Sequence, residues 1–279
     1  MSDPFLISGP AVVSFSGGRT SGYMLWRILQ AHVGTLPADV VVVFCNTGRE
    51  MSATLDFVRD CAAAWSVPIR WVEFTARRRD GFAEVNHNSA SRDGTPFAAL
   101  LAASSSLPNP VARSCTTELK IRTLKRFVQS VLGWSHWTNV VGLRADEPGR
   151  VFRAQQPKPE RWRTICPLFD AGVDEAEVRR FWRAQPFDLQ LRGKHAGNCD
   201  GCFLKSRAAL SQMHLDYPER MAWWAAMEAI PRGTAGVGRR FRNDREPYAE
   251  QARLVQVQGA FPFSVFEPEM GCQEWACTD

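Results

Sequence analysis

Two short apolar runs constrain the fold of this chain most. Each ends in a polar glycine turn and is followed by a helical pattern. The first is Ala11-Val12-Val13-Ser14-Phe15, which enters the turn Ser16-Gly17-Gly18-Arg19-Thr20-Ser21-Gly22 and a helix-periodic stretch from Tyr23 to Gln30. The second is Asp39-Val40-Val41-Val42-Val43-Phe44-Cys45, ending in Asn46-Thr47-Gly48-Arg49-Glu50, after which Leu55, Val58, Cys61 and Trp65 recur at helical spacing. A continuous β-branched run without polar alternation reads as a strand buried on both faces, the condition of a parallel sheet. Ile69 to Phe74 reads as a third strand. The order β-α-β-α-β predicts a doubly wound, mostly parallel α/β sheet of the Rossmann-like kind. Ligands of such sheets sit beyond the strand C-termini, at the switch point, so the two turns are predicted to share one site.

The first turn has the composition of an anion site. Glycines let the backbone approach a ligand closely. The helix that follows offers free N–H groups and the positive end of its dipole. Ser16, Thr20 and Ser21 add hydroxyls and Arg19 adds a charge, so the predicted guest is a phosphate or sulfate. The G-x-x-x-x-G-K-[ST] pattern is absent, so this is not a Walker loop. An ordinary Gly-Gly turn between a strand and a helix is the alternative.

The chain has 279 residues, 45% of them hydrophobic, enough for one large α/β domain or two modest ones. No apolar run approaches the ~18 residues of a membrane span, and the N-terminus lacks a basic-then-apolar signal pattern. The expectation is a cytoplasmic protein with no membrane partner. Eight cysteines in such a chain point to metal or redox chemistry rather than disulfides. A net charge of +5 suits a nucleotide as well as a polynucleotide. The basic clusters are Arg77-Arg78-Arg79, Arg161-Trp162-Arg163 and Arg239-Arg240-Phe241-Arg242.

Residues 76–112 read as an irregular excursion with a small helix near 97–103, a candidate lid or substrate loop. Within it, His87 reads as inert. Arg113-Ser114-Cys115-Thr116 precedes a basic amphipathic helix from Ile121 to Leu132, which places Cys115 at a helix N-terminus beside an arginine, where thiolate character is favoured. Trp137 to Val141 reads as the fourth strand and ends in Gly142-Leu143-Arg144-Ala145-Asp146-Glu147-Pro148-Gly149-Arg150. Arg144 and Arg150 suit oxyanion clamping, because a guanidinium bonds such groups bidentately. Asp174 with Glu177 makes a capping box for the next helix.

His195-Ala196-Gly197-Asn198-Cys199-Asp200-Gly201-Cys202 is a Cys-x-x-Cys knuckle. Cys45 and Cys61 read as core residues. A single helix is predicted from Met213 to Ile230, with Trp223, Trp224 and Met227 as packing residues, and the tail carries Cys272 and Cys277. The domain reading is a nucleotide-binding α/β domain over 1–205 with the inserted loop 76–112, then a helical and irregular extension over 206–279.

Five ordered segments within about residues 10–205 resemble the sulfonucleotide (PAPS/APS) reductase and N-type ATP pyrophosphatase family, including its DNA phosphorothioation and tRNA thiolation relatives. Ser16–Ser21 resembles the S-G-G-x-D-S loop, with Thr20 at the place of the Asp. Phe44–Gly48 resembles F-x-D-T-G, with Asn46 for Asp. Cys115–Lys120 resembles the cysteine element before the mid-chain helix, with Ser114 at the place of a second cysteine. Gly142–Arg150 resembles G-x-R-x-x-E-x-x-x-R, its second Arg one place early. The knuckle completes the order. The resemblance implies an adenine nucleotide alpha-hydrolase-like fold and adenine-nucleotide contacts from Ser14, Ser16, Gly17, Gly18, Arg19, Thr20, Ser21, Asn46, Thr47, Gly48, Gly142, Arg144 and Arg150. It implies ATP, or PAPS/APS, with Mg, and a [4Fe–4S] cluster on Cys115, Cys199 and Cys202. Cys277 is the preferred fourth ligand over Cys166 and Cys272. Zinc, and free thiols, are the alternatives.

Three functions follow from that resemblance. One is sulfur transfer to DNA or RNA through an adenylated intermediate, with a sulfur donor; Thr20 in place of the Asp counts against it. Another is sulfonucleotide reduction with sulfite release, in which Cys277 or Cys272, with Arg19, acts at the reacting centre and a thioredoxin-like reductant resolves the product. The family's Glu-Cys-Gly tail with a following His is missing, which counts against that reading. The third is a catalytically silent nucleotide- and metal-binding module.

Overall fold

A computed structural model describes residues 3–76, 79–156, 159–231 and 239–258. Its six-stranded sheet has the order β4-β3-β2-β1-β5-β6. The strands are β1 (Ala11–Phe15), β2 (Val40–Asn46), β3 (Ile69–Phe74), β4 (Phe82–Val85), β5 (Trp137–Val141) and β6 (Trp162–Ile165). All pairings are parallel except β3 with β4. The chain winds outward from β1 through β2 to β3, then resumes on the other side of β1 with β5, so the switch point lies between β1 and β5.

The helices are α1 (Arg19–Ala31), α2 (Ser52–Ala64), α3 (Thr95–Ala103), α4 (Thr123–Val131), α5 (Pro148–Gln155), the single turn α6 (Pro167–Asp170), α7 (Glu175–Arg183), α8 (Arg207–Asp216), α9 (Pro218–Ala229) and α10 (Tyr248–Gln258). Alternate residues of the central strands face two cores. Val13, Phe15, Val42 and Phe44 join Met24, Leu25, Leu55 and Trp182 on one face. Val12, Val43 and Val72 join Phe127 and Val128 on the other. The uninterrupted β-branched runs are therefore explained by burial on both sides.

The structure departs from the sequence expectations at four places. The 76–112 excursion contains β4, which pairs antiparallel with β3. The helix expected from Ile121 begins as a π-helical stretch, Thr116–Arg122, and becomes regular only at Thr123. The helix expected over 213–230 is two helices, α8 and α9. Its break falls at Tyr217-Pro218, where proline lacks the N–H a continuous helix needs. At α7, Asp174 does cap the Glu177 N–H at 2.8 Å, but the Glu177 carboxylate reaches out to the Tyr23 hydroxyl instead of closing a capping box.

A third core holds Phe97, Leu101, Leu119, Phe203, Met213, Trp224, Phe241 and Tyr248. It draws on the excursion, the knuckle and the helices after residue 205 alike. Among the described residues no helix is long and apolar enough to cross a membrane.

Candidate functional site

Two neighbouring groups of polar residues lie at the C-terminal ends of the strands. The first is the turn after β1 with the turn after β5. Gly17 has φ +80°, a left-handed conformation that favours glycine, and a Cβ there would stand 2.6 Å from Thr54 Cγ2 on α2. The Ser21 hydroxyl donates to the Gly18 carbonyl at 2.9 Å and accepts the Ser16 N–H at 3.2 Å, which shapes the loop. The Ser16 hydroxyl meets Ser21 Oγ at 2.9 Å. Ser14 bridges to Asn139 of β5 at 2.8 Å.

Gly142 closes the switch point from the β5 side, since a Cβ on it would lie 3.4 Å from Ser21 Cα. Arg144 donates to Thr20 Oγ1 at 3.0 Å, and both residues are buried. Arg144 also donates to Asp146 Oδ1 at 3.0 Å, and its N–H donates to Glu147 at 3.1 Å. Glu147 holds Arg150 as well, in a pair buried on both sides. Arg19 takes a structural position instead: it donates to the Asp188 carboxylate at 2.7 and 2.9 Å and to the Leu189 carbonyl at 2.8 Å. The structure thus brings Ser14, Ser16, Gly17, Gly18, Thr20, Ser21, Gly142, Arg144 and Arg150 into one region.

The second group is the turn after β2 with the cysteine knuckle. Asn46 is fully buried. It donates to Glu73 at 2.5 Å and to the Ser91 carbonyl at 2.8 Å, and accepts the Gly48 N–H at 3.2 Å. Burial raises the pKa of Glu73, partly offset by the Asn46 and Ser91 hydrogen bonds. Thr47 donates its N–H and hydroxyl to Glu50, at 2.9 Å and 2.8–2.9 Å, and its Oγ1 lies 3.4 Å from Cys199 Sγ. The sequence-predicted pair of turns is therefore split: Thr47 faces the thiols, while Ser16–Ser21 faces Arg144.

The knuckle is anchored by Asp200, which is 0% exposed. Its carboxylate accepts from Arg49 at 2.6 and 3.2 Å, from Arg220, and from Trp224 Nε1 at 2.7 Å. The Asp200 N–H in turn donates to the Arg49 carbonyl at 2.9 Å. Burial lowers the pKa of Arg49, and the Asp200 charge opposes that shift. Cys115, Cys199 and Cys202 all line one cavity of about 30 Å³ beside this anchor. Thr47, Arg113, Lys120 and Asn198 form its polar part; Phe97, Leu119 and Trp224 form its apolar part.

Three thiols suit a thiophilic metal, whether zinc or an iron–sulfur cluster. The cavity has room for about one or two waters, which admits a single ion. Among the described residues, no three His, Cys, Asp or Glu side chains stand ready as a ligand set. Cys166 is not a fourth ligand in this arrangement. It is fully buried in a separate cluster with Leu143 and Val151, and burial pushes its thiol up to about 12. Cys45 donates to the Lys120 carbonyl at 3.7 Å and is likewise pushed by burial to about 12. Cys272 and Cys277 lie outside the described residues.

Sequence reasoning missed Glu50, Glu73, Asp188, Asp200 and Arg220. Asp200 carried a readable signal, a charged residue inside a Cys-x-x-Cys. Asp188 and Arg220 carried none: Asp188 meets Arg19, 169 positions away, and Arg220 meets Asp200 and the Glu50 carbonyl, 20 and 170 positions away.

No family model matches the chain. It is 30% identical over 213 residues to an uncharacterized nin region protein, ORF290, of Escherichia phage lambda, a match spanning 70% of this chain and 66% of the phage protein. A crystal structure of phosphoadenylyl-sulfate (PAPS) reductase from Candida auris, in a phosphate complex, is similar with a TM-score of 0.44 and 16% identity. That match covers 65% of this chain and 79% of the reductase.

Proposed function

We propose that the protein is an adenine-nucleotide-dependent enzyme of sulfur chemistry. The nucleotide's anionic end binds at the Ser16–Ser21 loop under Arg144, and the thiols of Cys115, Cys199 and Cys202 act on sulfur. The observation that carries this reading is the single cavity that gathers those three cysteines with Thr47, next to a preformed anion loop. The cavity admits no more than a single ion and, among the described residues, its three thiols do not stand as a ligand set, so the thiols themselves, and no iron–sulfur cluster, carry this reading. Arg113 and Lys120 favour negative charge on the sulfur atoms, and the apolar wall of Phe97, Leu119 and Trp224 limits water.

Of the reactions open to such a site, sulfonucleotide reduction uses the groups most directly. A thiolate attacks the sulfur of an adenosine phosphosulfate, the S–O bond to phosphate breaks, and the adenosine phosphate leaves. A second thiolate attacks the Cys sulfur of the resulting thiosulfonate, releasing sulfite and leaving a disulfide for an external dithiol to reduce. Two basic side chains just before the knuckle favour a second reading: Arg192 and Lys194 pair with Asp216 and Glu175 but stay 68% and 69% exposed. In it ATP adenylates a nucleic-acid oxygen with loss of pyrophosphate, and sulfide then attacks the activated atom, so that AMP leaves with that oxygen and sulfur takes its place.

Anaerobic incubation of the whole chain with PAPS or APS and a dithiol, and separately with ATP, oligonucleotide and sulfide, decides between them. Sulfite release supports reduction; pyrophosphate with thiolated oligonucleotide supports transfer. Unchanged nucleotide in both, despite binding, leaves a silent nucleotide-binding module. Cys199→Ser and Cys202→Ser are expected to lower either activity at least ~100-fold, the scale of losing a nucleophile.

A further inference from the structure

The Ser16–Gly22 turn holds hydroxyls, one guanidinium and helix-terminal N–H groups, but no carboxylate. Its second helical residue, Thr20, is 4% exposed and is already bonded to Arg144. The carboxylates bonded to the arginines of this region are held in guanidinium pairs: Asp188 by Arg19, Asp146 by Arg144, and Glu147 by Arg150 and Arg144. Magnesium keeps several waters and is usually bound through one or two carboxylates together with substrate phosphates. Here those carboxylates are engaged with cations, so the donor set does not fit a magnesium ion.

We infer that the loop holds the anionic end of its nucleotide without a divalent cation, and that the Arg144 guanidinium, docked on Thr20, supplies the positive charge instead. The inference rests on the nucleotide reading of the loop. A planar guanidinium meets a phosphate or sulfate with two parallel hydrogen bonds. The geometry also shows what gives way. Glu147 is 5% exposed at its side chain and remains with Arg150, whereas Asp146 is 41% exposed and swings into water when the nucleotide oxygens take its place on Arg144. Asp146 is then a competitor for the anion, and Thr20 positions the clamp.

The test is calorimetric titration of the intact protein with ATP and with adenosine 5′-phosphosulfate, each in EDTA and in magnesium chloride. At least one nucleotide is expected to bind in EDTA, with a dissociation constant within about threefold of that in magnesium. Asp146→Asn is expected to tighten binding severalfold. Thr20→Val, which keeps the side-chain volume, is expected to weaken it by about tenfold, the scale of one hydrogen bond to a charged group. Binding that requires magnesium, or that magnesium tightens tenfold or more, overturns the inference and leaves the nucleotide reading standing. So does an Asp146→Asn protein that binds no more tightly than wild type. If neither nucleotide binds in either solution, the nucleotide reading falls, and this inference with it.

Discussion

The Ser16–Gly22 loop and the thiol cavity lie close together and are built in opposite ways. The loop is local. Ser16, Gly18 and Ser21 bond to one another within five residues, and long-range contacts from Arg144 to Thr20 and from Arg19 to Asp188 only brace it. The cavity is assembled from the β2 turn, the π-helical stretch and the knuckle, joined through the buried Asp200 to Arg49 and Arg220. A local site tolerates loss of a distant partner. An assembled site depends on the one group that ties its pieces together.

The largest effect is expected at that tie. Asp200→Asn leaves Arg49 and Arg220 facing a neutral amide in a buried pocket, and breaking such a pair costs about 3–5 kcal/mol. Urea unfolding should show this loss, and alkylation of Cys199 should speed up even under native conditions. A variant as stable as wild type would mean that the two turns hold together without Asp200.

A slightly smaller effect is expected from acid. His214 is buried on α8, and burial lowers its pKa to about 4 from 6.5. The folded state therefore resists protonation. The stability this contributes is full above pH 6.5 and is lost as pH falls towards about 4, amounting to about 3 kcal/mol. Thermal melts of His214→Phe across that window should lose much of their pH slope. An unchanged slope would move the acid sensitivity to another group.

Perturbing the loop should matter less. Gly17→Ala forces a side chain into a left-handed conformation and against Thr54 Cγ2, at a cost of about 2 kcal/mol. Adding Thr54→Ser removes the clashing methyl and should recover part of that loss. No recovery would show that backbone strain alone accounts for the cost. The smallest effect belongs to an exposed pair on α7. Removing the Glu175–Arg179 i,i+4 pair by Arg179→Gln, which leaves the Glu175–Lys194 pair in place, should change stability by under about 0.5 kcal/mol.

The sequence by itself determined the parallel centre of the sheet, β1, β2, β3 and β5, but not its edge strands β4 and β6. Val40 to Phe44 carries no polar alternation, and such a run is stable only when both faces are covered; the two cores on either side of β2 bear this out. It also determined the shape of the Ser16–Gly22 loop, because Gly17 and the serines act over a few residues. The Asp174 cap was legible for the same reason. Tertiary structure decided the rest. Asn46, grouped by its motif with the nucleotide residues, is saturated by Glu73 and Ser91, and Arg19 is turned to Asp188. Cys115, Cys199 and Cys202 share a cavity while Cys166 lies in another core. Short-range backbone preferences are written in neighbouring residues. Burial and charge pairing depend on which distant segments meet, and no spacing along the chain encodes that meeting.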